Sequence, residues 1–119
     1  MDIDLALAAN RVILTTERIV SNDQIRRAPD QTKIAFLCVE AVVEVPYGSM
    51  PHECYGLYEP AMNHLDAYVD QVNGDPVEGM RRYLDTYVYA PKSWNDFLSL
   101  IGTEEIISAT RKGRSIFDV

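Results

Sequence analysis

The sequence predicts an α/β fold: about three strands in a sheet portion over 1–46, a loop over 47–58, and a helical segment over 59–119. Three observations carry this reading. β-Branched and apolar runs dominate the first half, at Val12-Ile13-Leu14-Thr15-Thr16, at 34–39 and at 41–45. Past Tyr58 the apolar residues recur at helical spacing instead. Pro, Gly and short polar residues punctuate that second half where helices start and stop.

Taken in order, Asp4 caps a brief helix through about Asn10, which runs almost directly into Val12–Thr16. A run this apolar reads as a buried strand, and a helix joined to it so tightly reads as the end of a β-α-β crossover whose first strand would precede Met1. The polar stretch 21–32 is a connection with a turn at Pro29-Asp30. Two apolar stretches follow, Ile34 to Val39 and Ala41 to Val45, and Pro46 and Gly48 stop the second. Pro60 then suits a first helical position with Glu59 as cap, and Tyr58, Met62, Leu65, Val69 and Val72 form a stripe ended by Asn73-Gly74. Asp75-Pro76-Val77-Glu78 starts another helix with Val77, Met80, Leu84 and Tyr87 or Val88 on its apolar side. Ser93 to Asp96 starts a third, bearing Trp94, Phe97, Leu98 and Ile101 and closed by Gly102. Thr103 caps a last one, with a loose tail after Lys112.

Composition narrows the function. With 119 residues, 47% of them hydrophobic and 24% charged, the chain is globular rather than disordered, one domain or part of one. A net charge of -7 excludes a phosphate-neutralising surface, so no nucleic acid is expected; the basic cluster Arg111-Lys112-Gly113-Arg114 reads as solvated or as a partner contact. Two cysteines without a CxxC, and two histidines, make neither a disulfide scaffold nor a zinc site, and no metal is expected. The opening Met1-Asp2-Ile3-Asp4 lacks the basic start of a targeting peptide, and no apolar run is long enough for a membrane span. The expectation is a reduced, soluble, cytoplasmic protein.

No local catalytic signature is present: no Walker A, GxGxxG, GxSxG or HExxH. The stretch richest in chemistry is the loop Tyr47-Gly48-Ser49-Met50-Pro51-His52-Glu53-Cys54-Tyr55-Gly56. It follows the carboxyl end of an expected strand, where α/β sheets place their ligand crevices. Tyr47 and Tyr55 offer flat apolar faces with a hydroxyl, and Gly48 permits close backbone approach. Ser49 and His52 add polar groups, His52 able to donate to a carboxylate or phosphate. The competing account makes this a crossover loop whose aromatics anchor it on the helices. Cys54 reads as inert, Cys38 as core, and His64 as a surface or partly buried structural histidine. Glu40 and Glu44 read as wet positions of the sheet, and Glu17 as a solvated strand end or a carboxylate aimed into the same crevice. The tyrosines 55, 58, 68, 83, 87 and 89, with Trp94, are spaced like a helix core.

These residues, in one order, resemble the alpha subunit of glutaconate-type CoA-transferases. The matching stretches are Ala8 to Val20 (AANRVILTTERIV), Ile25 to Pro29 (IRRAP), Val39 to Pro51 (VEAVVEVPYGSMP) with Cys54-Tyr55, and Tyr83 to Tyr89 (YLDTYVY) followed by Asp96-Phe97-Leu98. The resemblance covers about Asp4 to Gly102 and is most specific at VVEVPYGSMP. It implies part of a class I CoA-transferase sheet followed by a helical C-terminal segment, the C-terminal portion of an alpha subunit that works with a beta subunit.

Such enzymes pass CoA between carboxylic acids through a glutamyl-CoA thioester, so the implied ligands are acyl-CoA and carboxylic acids, with CoA thioester as substrate and no bound cofactor. The thioester glutamate of glutaconate CoA-transferase belongs to the beta subunit. Related acyl-CoA hydrolases of steroid-ring degradation use a glutamate earlier in alpha, and neither position maps onto this chain. No catalytic residue is therefore expected here, and Tyr47, Gly48, Ser49, His52 and Tyr55 are the expected substrate or CoA contacts. Two alternatives stand beside the transferase portion: a hydrolase subunit, and a non-catalytic assembly module that pairs its exposed sheet edge with a partner or another copy.

Overall fold

The structure, a computed structural model, describes residues 2–115. The chain divides into two compact units, Met1–Gly48 and Ser49–Val119.

The first unit opens with helix α1 (Asp2–Ala8), acidic in its first turn, where carboxylates suit the positive end of the helix dipole. Strand β1 (Ile13–Thr16) pairs in parallel with β2 (Ala41–Glu44), Ile13 opposite Ala41 and Thr16 opposite Glu44. Two further hydrogen bonds lengthen the ladder, Glu40 N–H to the Val12 carbonyl at 2.9 Å and Val45 N–H to the Thr16 carbonyl at 2.8 Å. A parallel pair needs a crossover between its strands, and helix α2 (Asn22–Arg27) with the 3₁₀ turns Pro29–Gln31 and Phe36–Cys38 fills it. Ser21 starts α2 through a capping box with Gln24, each side chain bonding the other's backbone N–H.

The α/β class holds, but the sheet has two strands among the described residues, and two details of the sequence reading are corrected. The run 34–39 is not a strand: Phe36–Cys38 forms a 3₁₀ turn, leaving Cys38 half-buried rather than in a core. A short apolar run does not by itself distinguish a strand from a turn of helix. Nor is Val12–Thr16 a buried strand. β1 alternates exposed and half-buried residues, and every residue of β2 is exposed, Glu40 just before it included. Apolar content signals that a strand is suited to burial; whether a layer covers it depends on residues elsewhere.

The second unit is helical. α3 (Met62–Gly74) packs on α4 (Pro76–Tyr83), which passes without a break into a π-helical turn (Leu84–Tyr89); α5 (Trp94–Ile101) and α6 (Thr103–Ser115) complete it. Asp75 caps α4 through its carboxylate to Glu78 N–H at 3.1 Å, with Pro76 at the first position. Ser93 and Asp96 form a full capping box at α5, and Gly102 at φ 98 ends that helix. α6 stays helical through Ser115, beyond Lys112 where a loose tail is expected; residues 116–119 lie outside the described residues.

The core of this unit is Met50, Tyr58, Ala61, His64, Gly79, Ile101 and Ala109. α3 starts at Met62, two residues later than Pro60 suggests, and its inward face is not the expected stripe. Met62 and Val69 are about half exposed, while His64 is buried. On α4, Val77 is 81% exposed and the inward position belongs to Gly79 instead. A Cβ at Gly79 would sit 2.4 Å from the Gln71 carbonyl oxygen and 3.0 Å from the Val72 Cα, so the absent side chain is what lets α3 and α4 approach so closely.

Candidate functional site

The expected contact loop divides at the boundary between the units: Tyr47 and Gly48 close the first, and Ser49, His52 and Tyr55 lie in the second. In the first unit the organising group is Glu17, just past β1. Its Oε2 accepts from Tyr47 N–H at 2.6 Å and its Oε1 from Gly48 N–H at 2.9 Å. Tyr47 has φ 59, a left-handed conformation that costs a non-glycine residue about 1–2 kcal/mol. Two charge-assisted hydrogen bonds from one carboxylate offset that cost. Gly48 is required by crowding: a Cβ there would meet the Val45 carbonyl oxygen at 2.8 Å.

In the second unit Ser49 and His52 are joined by a turn, His52 N–H donating to the Ser49 carbonyl at 2.8 Å. Ser49 N–H donates to the Tyr58 hydroxyl at 3.1 Å, and Tyr58 is only 2% exposed, so its buried phenol pins the loop. Ala61 N–H bonds the Pro51 carbonyl at 2.9 Å, and Cys54 and Tyr58 pair across a short antiparallel bridge. His52 is exposed, and Tyr55 is 86% exposed.

The second-unit part of the loop is anchored, and it leaves three polar or aromatic side chains exposed. Tyr58 anchors it, while the side chains of Ser49, His52 and Tyr55 face outward. The amides of Tyr47, Gly48 and Ser49 are engaged within the protein and form no open amide cradle.

A second constellation is one that sequence reasoning missed. His64, expected at the surface or partly buried, is 8% exposed, and its Nε2 lies 3.0 Å from the Tyr83 hydroxyl. Tyr87 meets the same imidazole edge-on at 4.6 Å, and Tyr68 meets Tyr83 at 4.7 Å. Burial pushes the His64 pKa below its ordinary value, partly opposed by the Glu105 carboxylate. Burial also raises the Tyr83 phenol, with smaller contributions from Tyr87 and Tyr68.

Glu105 of α6 takes both Asn63 N–H at 2.9 Å and the Asn63 carboxamide at 2.5 Å, so it closes the start of α3. A cavity of about 770 Å³ lies beside this cluster, lined by His64, Tyr87, Ile101 and Glu105 among others. The signal for it in the sequence is the pair of i,i+4 spacings, His64 with Tyr68 and Tyr83 with Tyr87, on consecutive helical segments that meet at Asp75.

No group of three or more His, Cys, Asp or Glu among the described residues could hold a metal, and no described helix is long and apolar enough to cross a membrane. Glu40 and Glu44 are exposed, Glu40 3.6 Å from Arg11 and Glu44 accepting from Ile19 N–H at 2.6 Å. No aspartate or glutamate among the described residues is buried.

No protein-family profile matches the chain. The A subunit of glutaconate CoA-transferase from Acidaminococcus fermentans is 36% identical over 107 residues, 90% of this chain and 33% of that protein. An uncharacterised protein of Archaeoglobus fulgidus is 35% identical over 111 residues, 93% of this chain and 24% of its own length. The crystal structure of the Acidaminococcus glutaconate coenzyme A-transferase superposes with a TM-score of 0.79 at 36% identity, covering 91% of this chain and 33% of that one. The chain therefore spans about a third or less of the relatives it matches. Sequence and fold agree: this chain is a homologue of the glutaconate CoA-transferase A subunit, matched over about a third of that protein's length.

Proposed function

We propose that the chain supplies the C-terminal portion of the A subunit of a heteromeric CoA-transferase, which moves CoA between carboxylic acids through a glutamyl-CoA thioester formed outside these residues. The observation that carries this is the 36% identity sustained over 90% of the chain, together with the TM-score of 0.79.

The chain's own contribution is recognition. Tyr47, Gly48, Ser49, His52 and Tyr55 contact the acyl-CoA: the tyrosine rings cover apolar or planar parts, and His52 and the Ser49 hydroxyl donate to a carboxylate or phosphate. Gly48 contributes by allowing the tight turn that Glu17 holds.

The test is a reconstituted enzyme containing this chain, the polypeptide that completes the A subunit, and a B subunit. His52→Ala and Tyr55→Ala are expected to raise KM for acyl-CoA by about tenfold with kcat little changed, the pattern of a lost binding contact. Unchanged kcat and KM across Tyr47, His52 and Tyr55 substitutions would count against the loop. A second reading, an assembly module without chemistry of its own, is supported by the exposed apolar residues of the sheet. Under that reading the chain joins a complex, and loop substitutions leave turnover unaltered.

A further inference from the structure

The paired register of β1 and β2 runs out at Thr16 and Glu44, and beyond it carboxylates take over the work of the ladder. The Val45 N–H still reaches the Thr16 carbonyl at 2.8 Å. After that, the segment leaving each strand is held by an acid from the end of the other. Glu44, the last residue of β2, accepts from Ile19 N–H at 2.6 Å. Glu17, the first residue past β1, accepts from Tyr47 N–H at 2.6 Å and from Gly48 N–H at 2.9 Å. The exchange is reciprocal and lies wholly within the first unit. Amides that leave a ladder need new acceptors, and a hydrogen bond to an ionised carboxylate is about twice as strong as one between neutral groups.

This clasp holds a strained residue. Tyr47 is half-buried and sits at φ 59, where a bulky side chain is an outlier. Glycine takes that conformation freely, yet it stands at 48 and not at 47. Strain of this kind persists only where surrounding contacts over-determine it, and it clusters at functional sites. The turn also lies just past the carboxyl ends of two parallel strands, the edge at which α/β sheets bind their ligands.

We propose that Glu17 is a positioning residue for the acyl-CoA site: its carboxylate fixes the left-handed turn that presents Tyr47 to the substrate, and Glu44 steadies the other side of the clasp through Ile19. The inference rests on the contact role given to Tyr47 above, and adds to it an acid that acts through Tyr47 and not on the substrate.

The experiment measures kcat and KM for acyl-CoA in the reconstituted enzyme that contains this chain. Glu17→Ala is expected to raise KM about tenfold with kcat little changed. Glu17→Gln raises it less, because one carbonyl acceptor remains. Glu44→Ala also raises it less, because the amide it frees is that of Ile19 and not of Tyr47. In the double variant Glu17→Ala/Tyr47→Ala, KM stays within about twofold of Tyr47→Ala alone, since two residues acting through one contact are not additive. A merely structural Glu17 gives a different pattern: partial unfolding lowers the active fraction, and with it the apparent kcat, at unchanged KM. A normal KM in Glu17→Ala where Tyr47→Ala raises it overturns the inference and leaves the contact reading standing. Rises that multiply in the double variant do the same. A normal KM in Tyr47→Ala sinks the contact role of Tyr47, and the inference with it.

Discussion

The Nε2 atom of His64 lies 3.0 Å from the Tyr83 hydroxyl, tying α3 to the last residue of α4 from inside the helical unit. The imidazole is held among Tyr83, Tyr87 and the nearby Glu105 carboxylate. Tyr68 lies behind, against Tyr83.

That relationship makes stability depend on pH in a defined direction. The folded-state pKa of His64 is depressed, chiefly by burial. The unfolded chain therefore binds the proton more readily, and stability is present in full above the ordinary value of 6.5 and lost as pH falls through the lower folded-state value. Between about pH 7.5 and about pH 5.5 the urea midpoint is expected to fall, and His64→Gln is expected to flatten that fall. An equally steep fall in the variant would assign the effect to other groups.

Removing the partner tests the hydrogen bond alone. Tyr83→Phe keeps the ring against Tyr68 and Tyr87 but leaves the buried imidazole nitrogen without its phenol. A loss of about 1–2 kcal/mol is expected in urea denaturation. A change within error would mean that water replaces the phenol at no cost.

Gly79 offers a test in which helix propensity and packing disagree. In an exposed helix, Gly→Ala stabilises by about 1 kcal/mol. At Gly79 the new methyl would be 2.4 Å from the backbone of α3, so α3 and α4 must separate and Gly79→Ala is expected to destabilise by about 1–3 kcal/mol. A raised melting temperature would show that the helix pair opens easily.

Glu17 is expected to govern the loop locally. Replacing it with alanine frees the amides of Tyr47 and Gly48 together, whereas Glu17→Gln keeps a single carbonyl acceptor. Hydrogen exchange should accelerate at both amides in the first variant and less in the second. Unchanged exchange at Tyr47 in Glu17→Ala would mean that its left-handed turn is held by other contacts.

Much of the helical unit was legible because its signals are local. Asp75-Pro76, Ser93 with Asp96, and Gly102 each act on a backbone within a few residues, and each starts or stops its helix where the sequence says. The inward faces were less legible. The stripe Met62, Leu65, Val69 is a sound apolar pattern, yet α3 turns His64 inward, where Tyr83 supplies a phenol and Tyr87 meets the ring edge-on. Likewise, nothing near residue 17 announces that its carboxylate will cap residues 47 and 48; that depends on the parallel pairing of β1 with β2.

By itself, then, the sequence determined the α/β class, most helix boundaries, the family resemblance and the loop worth testing, all of which rest on residue types and short spacings. Only the tertiary structure decided that 34–39 forms a turn and not a third strand, that β1 and β2 stand uncovered, and that His64 is a core residue. The physical reason is range. Capping, turn chemistry and periodicity are settled within a few residues, whereas burial and the worth of a polar group depend on what other segments bring against it.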